Sequence, residues 1–504
     1  MHACLHVDEI VRLIAWELVS SEGRATAIAL ACCCQSFEDP ALDALWETQY
    51  QLTPLLKTFP EDKYTVSAQV SHVISSLNYF IRKYFRRLPK TPELARFRGY
   101  ARRMRKFRDS SPPDGAPSEV FSILQHFSPN GPLLPNLKIL ELYITAELVP
   151  FIHLFVSPGT THIDITFSTH NISKVLVASV ITIFSARYPN LQHIGLHCLP
   201  RDAMITNAVS ELLTANRNTL RIFNADSPLT EEAREVVHKL PDLRCLTVAT
   251  ETGTPLPSLI LPSLTELLII EHDHDHDWLE MFYGATLEKL ESVRFDSESE
   301  QIGDFLGAFE RAALAASVQN TLSDFVLYTR CPWNPKFSSL LSFTQMKILN
   351  IHFLCDDGCS SRVDDDIIIN LARAMPKLEA LWLGDEPCRR TPAGVTAKGL
   401  VVLARHCPNL STLCIHFQVA SLGAPPAAPG VTLNAGPAVL RRDCALEHLT
   451  VGKISIPERS VLMVALTLVR IFPRIESIDY IDGKWEKVEN AIYLSKQIID
   501  CSSK

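Results

Sequence analysis

The sequence predicts an α/β chain in which a small N-terminal three-helix module precedes an irregular solenoid of helix–strand units. Three observations carry this. An apolar residue, two others, an apolar residue, one other and a third apolar residue recur along the chain from about residue 131. Many of these copies follow a stretch of helical periodicity, and five such stretches stop at a proline. The first fifty residues hold three short amphipathic stretches of their own. Its 504 residues would otherwise point to about three ordinary domains, a count that a repeat array overrides.

The module spans residues 1–50. Val7, Ile10, Val11, Ile14 and Leu18 follow helical spacing, with Asp8 and Glu9 near the start, where the helix dipole favours negative charge. The next stretch contains Cys32, Cys33 and Cys34. Consecutive helical residues point about 100° apart, so these three cannot converge on one tetrahedral ion. Ala27, Leu30, Ala31 and Cys34 instead form an apolar face. Asp39 is placed to cap a third helix and Pro40 to occupy its first turn, with Leu42, Leu45 and Trp46 along it. Three helices this short make a small core and leave apolar surface over, so the module needs a partner.

Residues 51–130 read as a helical, basic connecting segment. Residues 82–108 hold twelve Lys or Arg against one acid, Glu93. Tyr100, Met104 and Phe107 lie at i, i+4 and i+7, which predicts a helix through ARRMRKFR with its arginines in water. Direct nucleic-acid binding is not expected, because no recognition fold accompanies the charge.

Residues 131–504 form the array. The pattern reads LKILEL at 137, LQHIGL at 191, LRCLTV at 243, LTELLI at 264, LESVRF at 290, LSDFVL at 322, MKILNI at 346, LEALWL at 378, LSTLCI at 410, LEHLTV at 446 and IESIDY at 475, with a weaker THIDI ending at Ile165. Spacings of this order are the mark of a solenoid. Pro189, Pro241, Pro376, Pro408 and Pro473 follow helical stretches. Proline disfavours the helical region for the residue before it, ending the helix and starting the strand. ASLGAPPAAPGVTLNAGP, residues 420–437, reads as a flexible loop inserted in the array.

Composition and motifs narrow the function. Hydrophobic content of 47% and charged content of 21% are those of a folded protein. Asp8 and Glu9 stand where a secretory signal needs positive charge, and no apolar run approaches the ~20 residues that span a bilayer. A soluble cytoplasmic or nuclear protein with no membrane contact is expected. The fourteen cysteines are scattered, as free thiols are in a reducing compartment. No phosphate loop, nucleophile elbow, His-Glu-x-x-His pair or dinucleotide glycine pattern is present, so neither an enzyme nor a cofactor is expected. EHDHDHDW at 271–278 alternates His272, His274 and His276 with acids, and His352, Cys355 and Cys359 form a second candidate ligand group. A polar loop after a strand accounts for both, and no metal site is expected.

The array resembles leucine-rich repeats, although the asparagine usual three residues past the last strand leucine is generally absent. DEIVRLIAWEL at 8–18, ALACCCQSF at 29–37 and PALDALWE at 40–47 resemble the F-box, through which substrate receptors dock on the Skp-family adaptor of cullin-RING ubiquitin ligases. An F-box followed by such repeats resembles a large fungal set of these receptors, and LTPLLKTFPEDKY at 52–64 and GPLLPNLKILEL at 131–142 are similar to the family's connecting segments. His6-Val7 stands where many F-boxes begin with Leu-Pro, and Phe37 where Trp is frequent. The resemblance implies the substrate-recognition subunit of an SCF-type ligase. Val7, Ile10, Ile14, Leu18, Leu30, Cys34, Phe37, Leu42, Leu45 and Trp46 would bind the adaptor, and the repeats would bind a target protein. The alternatives are a ligase-independent repeat scaffold and a metal-dependent hydrolase centred on His272–Asp277.

Overall fold

A computed structural model describes residues 7–502 apart from 22, 60–63, 70–79, 86–90, 110–117, 129–130, 170–171, 251–259, 272–284, 298–304, 331–336, 355–362, 385–393, 424–443, 453, 455 and 481–482. The chain divides into two compact units, residues 1–240 and 241–504.

In the first unit, α1 (Asp8–Ser21), α2 (Arg24–Cys33) and α3 (Gln35–Glu47) lead into β1 (Thr48–Gln49) and α4 (Thr53–Leu56). An antiparallel pair, β2 (Tyr64–Gln69) and β3 (Phe80–Phe85), is followed by α5 (Thr91–Ala101), β4 (Lys106–Asp109) and α6 (Ser118–Phe127). Next come β5 (Ile139–Ile144), β6 (His162–Phe167), α7 (Lys174–Arg187), β7 (His193–His197), α8 (Ala203–Ala215), β8 (Ile222–Ala225) and α9 (Glu231–Val237). Strands β1, β4, β5, β6, β7 and β8 pair side by side in that order, every pair parallel.

The second unit repeats the scheme. It runs β9 (Cys245–Thr250), β10 (Glu266–Glu271), β11 (Ser292–Ser297), α10 (Phe305–Ala315), β12 (Asp324–Arg330), β13 (Ile348–Leu354), α11 (Asp365–Ala374), β14 (Ala380–Leu383) and α12 (Ala397–His406). It ends with β15 (Thr412–Ile415), α13 (Val419–Gly423), β16 (His448–Gly452), α14 (Val461–Ile471), β17 (Ser477–Tyr480) and α15 (Lys484–Ser502). Strands β9 to β17 pair in chain order, all parallel. Each unit is therefore a repeat-like α/β solenoid, because parallel neighbours require the chain to return by a crossover between one strand and the next.

The apolar pattern explains the strands. Its first position, from Leu137 to Ile475, is at most 2% exposed in all eleven full copies. The second and third positions are i and i+2 of a strand and share its inner face. The residue after the first position carries the register. Its carbonyl accepts two successive N–H groups from the next repeat: Lys347 N and Ile348 N donate to Ser323 O at 2.7 and 3.0 Å, and Glu379 N and Ala380 N to Lys347 O at the same distances. The arrangement recurs along each unit, from Lys138 and Ile139 on Arg105 O to Glu476 and Ser477 on Glu447 O.

Proline sets the helix ends as expected. Tyr188, Met375, Cys407 and Phe472 each precede a proline and have φ between −131 and −115° and ψ between 65 and 82°. Each still donates its N–H back to the helix, Met375 to Leu371 O for example, so the stop leaves no orphan donor there. α9 ends three residues before Leu240, the residue preceding Pro241. At the other ends Ser173, Asp202, Thr230, Asp364 and Thr396 accept from N–H groups of the first turn.

Three expectations change. ARRMRKFR is not a helix: α5 stops at Ala101 and β4 begins at Lys106. Met104 and Phe107 are fully buried, as the stripe required. They are the first and second positions of a further repeat, MRKFRD, whose strand has parallel neighbours on both sides. Paired strands therefore lie within 51–130, the stretch read as helical. The third N-terminal helix begins at Gln35, so Asp39 and Pro40 lie inside it and no side chain caps it. An early proline removes only one backbone bond there, to Ser36. Cys34 is extended, with φ −162° and ψ 159°, and joins α2 to α3 instead of continuing the helical face.

The core of the second unit contains a ring cluster. Phe309 of α10 has its ring centre 5.3 Å from Phe295, 5.2 Å from Phe325 and 5.6 Å from Phe343. Trp485 of α15 is fully buried and donates its indole N–H to Ile454 O at 2.7 Å, covering the last repeats. We predict that Phe309→Ala destabilises the second unit by about 3–5 kcal/mol and Phe309→Leu by less. Urea unfolding followed by Trp fluorescence checks this, and equal midpoints for the alanine variant and the parent would contradict it.

Candidate protein-binding surfaces

The N-terminal module is held by small residues. Ala15 of α1 packs against Ala41 and Ala44 of α3, with Val19, Leu30 and Ala31 against them. Short side chains let the three helices approach closely, but they give a core too small to hide the remaining apolar residues. Charge adds to the contact: Arg12 bonds Asp8 at 2.8 Å and Asp43 at 2.7 Å. Arg103, from the turn after α5, bonds Asp43 and Asp39 of α3. Asp43 thereby joins α1 to the chain that begins β4. Most of these groups are partly exposed, so each pair contributes about 0–1 kcal/mol and the network fixes geometry more than stability.

The ten expected adaptor residues divide into three groups. Val7, Ile10 and Ile14 are exposed on one side of α1, at 42, 36 and 38%. Leu18, Leu30, Cys34, Leu42 and Trp46 are half-buried, Trp46 stacking on Tyr100 with ring centres 4.5 Å apart. Phe37 and Leu45 are buried within the chain and present no surface. Leu13, Trp16 and Ile28, absent from that group, are exposed at 63, 47 and 53%. Leu13 and Trp16 lie on the side of α1 away from the buried Val11 and Ala15, and Ile28 is on α2. These residues are exposed apolar side chains on α1, on α2 and, at Val7, just before α1.

The described cysteines are free thiols. Cys32 and Cys33 end α2 exposed, and the Cys34 thiol is lowered by its contact with Ser36, 3.0 Å away. Cys407 and Cys444 are buried, and burial pushes Cys407 up to about 12. Among the described residues no group of three or more His, Cys, Asp or Glu is placed to hold a metal ion. None of the described helices is long and apolar enough to cross a membrane. His272–Asp277, Cys355, Cys359, His6 and residues 424–437 of the expected insertion lie outside the described residues.

The outward faces of the strand ladders mix apolar positions such as Leu268 and Val326 with polar and aromatic ones. In the first unit, Asp164 of β6 lies 3.2 Å from His197 Nε2 and 3.8 Å from His193 Nε2, both of β7. His193 and His197 hold the Asp164 carboxyl well below the usual carboxylate range, against burial. The contact with Asp164 raises His197, and burial, then His193 and Arg221, lower His162. Gly195 makes this approach possible: a Cβ there would stand 2.8 Å from Asp164 Oδ2 and 3.2 Å from His197 Nε2. In the second unit the outward rings of Tyr328, His352 and Trp382 follow one another along β12, β13 and β14. A cavity of about 180 Å³ in the first unit is lined by Leu94, Phe97, Arg98, Ala101, Arg102 and Leu133, among others.

No protein-family model matches the chain, and no curated protein matches it. Among solved structures it is similar to the crystal structure of a protein from Bacteroides fragilis, at 12% identity and a TM-score of 0.25. That similarity covers 52% of this chain and 60% of the other, less than two thirds of its length. A likeness that remote carries no argument about function.

We predict that Gly195→Ala moves the Asp164 carboxylate off His197 and returns the His197 pKa toward the ordinary histidine value, read from imidazole NMR titration. The sign follows from the pair. A raised His197 stabilises the fold below the ordinary histidine range and loses that contribution as pH rises through the raised value. The lowered Asp164 stabilises above the ordinary carboxylate range and loses its share as pH falls through its lowered value. An unchanged His197 titration in Gly195→Ala would contradict the contact.

Proposed function

We propose that this chain is the target-recognition subunit of a cullin-RING ubiquitin ligase. Its N-terminal module docks on a Skp-family adaptor, and its repeats hold a target protein. The observation that carries this is the apolar surface left on α1 and α2 by Val7, Ile10, Leu13, Ile14, Trp16 and Ile28 while Ala15, Ala27, Ala41 and Ala44 are packed inside. Each such side chain removed from water on docking is worth roughly 1.5–3 kcal/mol, so a few of them support tight binding. The F-box-like stretches at 8–18, 29–37 and 40–47 name the adaptor class. The chemistry of ubiquitin transfer belongs to other subunits. This chain contributes proximity, raising the effective concentration of a target lysine near the charged ubiquitin carrier.

The test is a pull-down of the full chain with a Skp-family adaptor. Ile14→Asp is expected to weaken capture at least roughly a hundred-fold, since it places a charge in a desolvated apolar contact, and to leave the melting temperature within a few degrees. Leu45→Asp is expected to behave differently: Leu45 is 7% exposed inside the module, so the substitution unfolds the three helices and lowers stability as well. A folded parent chain that captures no adaptor at micromolar concentration would replace the ligase reading with the repeat scaffold.

A further inference from the structure

In the first unit, the edge at which the chain enters its strands has no acid of its own. The residue after the first apolar position is linked from strand to strand by the paired backbone bonds. Arg105 O receives Lys138 and Ile139, Lys138 O receives Thr161 and His162, Thr161 O receives Gln192 and His193, and Gln192 O receives Arg221 and Ile222. Arg105, Lys138, Thr161, Gln192 and Arg221 therefore form one row across five strands, at ~4.8 Å per step or about 19 Å end to end. The five entry segments, 101–108, 131–140, 155–163, 186–194 and 215–223, contain no Asp or Glu. Arg102, Arg105, Lys138, Arg187, Arg217 and Arg221 are exposed along them, and none of the six forms an ion pair among the described residues.

Acids contributed by other positions are held by groups outside these six. Arg103 bonds Asp39 and Asp43, Lys106 lies 3.3 Å from Glu47, Arg108 3.1 Å from Glu141, and His197 3.2 Å from Asp164. Of the two helices that end at this edge, α7 has no acid and α8 has Glu211 alone. Burial, then His193 and Arg221, lower His162, the direction expected where a proton would meet further positive charge. The same row of the second unit has the opposite sign, with Glu291, Glu379, Glu447 and Glu476 against Lys347. The basic row starts beside the cavity of about 180 Å³. Arg102 and Pro135 line that cavity, Asn136 Nδ2 donates to Arg102 O at 2.7 Å, and Arg105 donates to Asn136 O at 3.3 Å. The apolar walls of Leu94, Phe97, Ala101, Leu124 and Leu133 leave room for one large apolar side chain.

We infer that this edge binds an acidic segment of a partner protein, rich in Asp or Glu, with one large apolar residue at an end. The apolar residue enters the cavity, and the carboxylates lie along Arg105, Lys138 and Arg221. At ~3.3 Å per residue, an extended segment crosses the five strands with about six residues. Each carboxylate meets an exposed cation, so single contacts are weak and the row acts by number and by steering. A basic segment would be repelled here. A nucleic acid fits less well, because no exposed Phe, Tyr or Trp lies along the described row for bases to stack on. The inference goes beyond the receptor reading and does not rest on it, since such an edge serves a ligase subunit and a repeat scaffold alike.

The experiment uses the full chain and a fluorescein-labelled peptide in which glutamate alternates with glycine and serine between two terminal leucines, compared with its glutamine counterpart by fluorescence anisotropy. The chain's net charge of −8 opposes an acidic peptide elsewhere, so binding reports this edge. The glutamate peptide is expected to bind at low salt and to weaken as salt rises, and the glutamine peptide not to bind. Replacing both leucines by glycine is expected to weaken the glutamate peptide roughly ten-fold, the loss of one buried apolar side chain. The double variant Lys138→Gln with Arg221→Gln is expected to weaken it roughly five-fold with its melting temperature kept. Arg459→Gln, on an exposed turn before α14 in the second unit, is expected to leave it unchanged. A parent chain that binds neither peptide, or both equally, would overturn the inference. So would an unaffected double variant, equal binding without the leucines, or a loss in Arg459→Gln as large as that in the double variant. A thymidine oligonucleotide that binds more tightly than the glutamate peptide would replace it with a nucleic-acid surface. Adaptor capture by the same preparations reports on the receptor reading separately: capture without peptide binding removes this inference alone, and peptide binding without capture removes the receptor reading alone.

Discussion

In each solenoid unit the carbonyl after the first apolar position accepts two successive N–H groups from the next repeat, and the register set there decides which side chains are dry. A slip of one residue would turn every inward leucine to the solvent face. Lys347 shows the constraint at work. Its N–H donates to Ser323 O while its own carbonyl receives Glu379 and Ala380, so three repeats are tied through one residue. With the register fixed, Leu349 and Ile351 are buried, and Asn350 and His352 are placed on the opposite face. The outward ring ladder of the second unit and the Asp164–His197 pair of the first are consequences of the same pairing.

This constraint made most of the array legible in the sequence. Local rules act there: two apolar positions two residues apart mark an inner strand face, and a proline one residue past a helix forces the exit. Eleven full copies and the weaker one ending at Ile165 are all strands. Two repeats were not legible. In MRKFRD the third position is Asp109, and in LRIFNA it is Ala225, so neither shows three large apolar residues although the first two of each are buried. The same rule misled at Tyr100, Met104 and Phe107, whose spacing fits a helix but whose burial comes from a helix end followed by a strand. Contacts distant in sequence left no local trace. Nothing near Arg103 announces Asp39 and Asp43, more than fifty residues away.

The N-terminal module was legible in its helices and less so in its surface. Periodicity placed Val7, Ile10 and Ile14 on one side of α1, and they are exposed there. Phe37, Ala41, Ala44 and Leu45 share one helical face and are buried together, which places Phe37 and Leu45 inward with the alanine core. Periodicity did not single out Leu13, Trp16 and Ile28. The module buries Val11, Phe37, Leu45 and a set of alanines while Leu13, Trp16 and Ile28 stay exposed; in the repeats the strand positions of the pattern are buried, and large apolar residues such as Val175, Leu462 and Met463 are exposed on their helices. The proposed adaptor contact rests on the exposed residues of this module.

Hydrogen–deuterium exchange of the full chain with and without a Skp-family adaptor tests that claim most directly, since it reads every segment at once. The account predicts slowed exchange across residues 8–33, in α1 and α2, and no change in the strands from β5 to β17. Unchanged exchange in α1 and α2, or protection confined to the repeats, would contradict it.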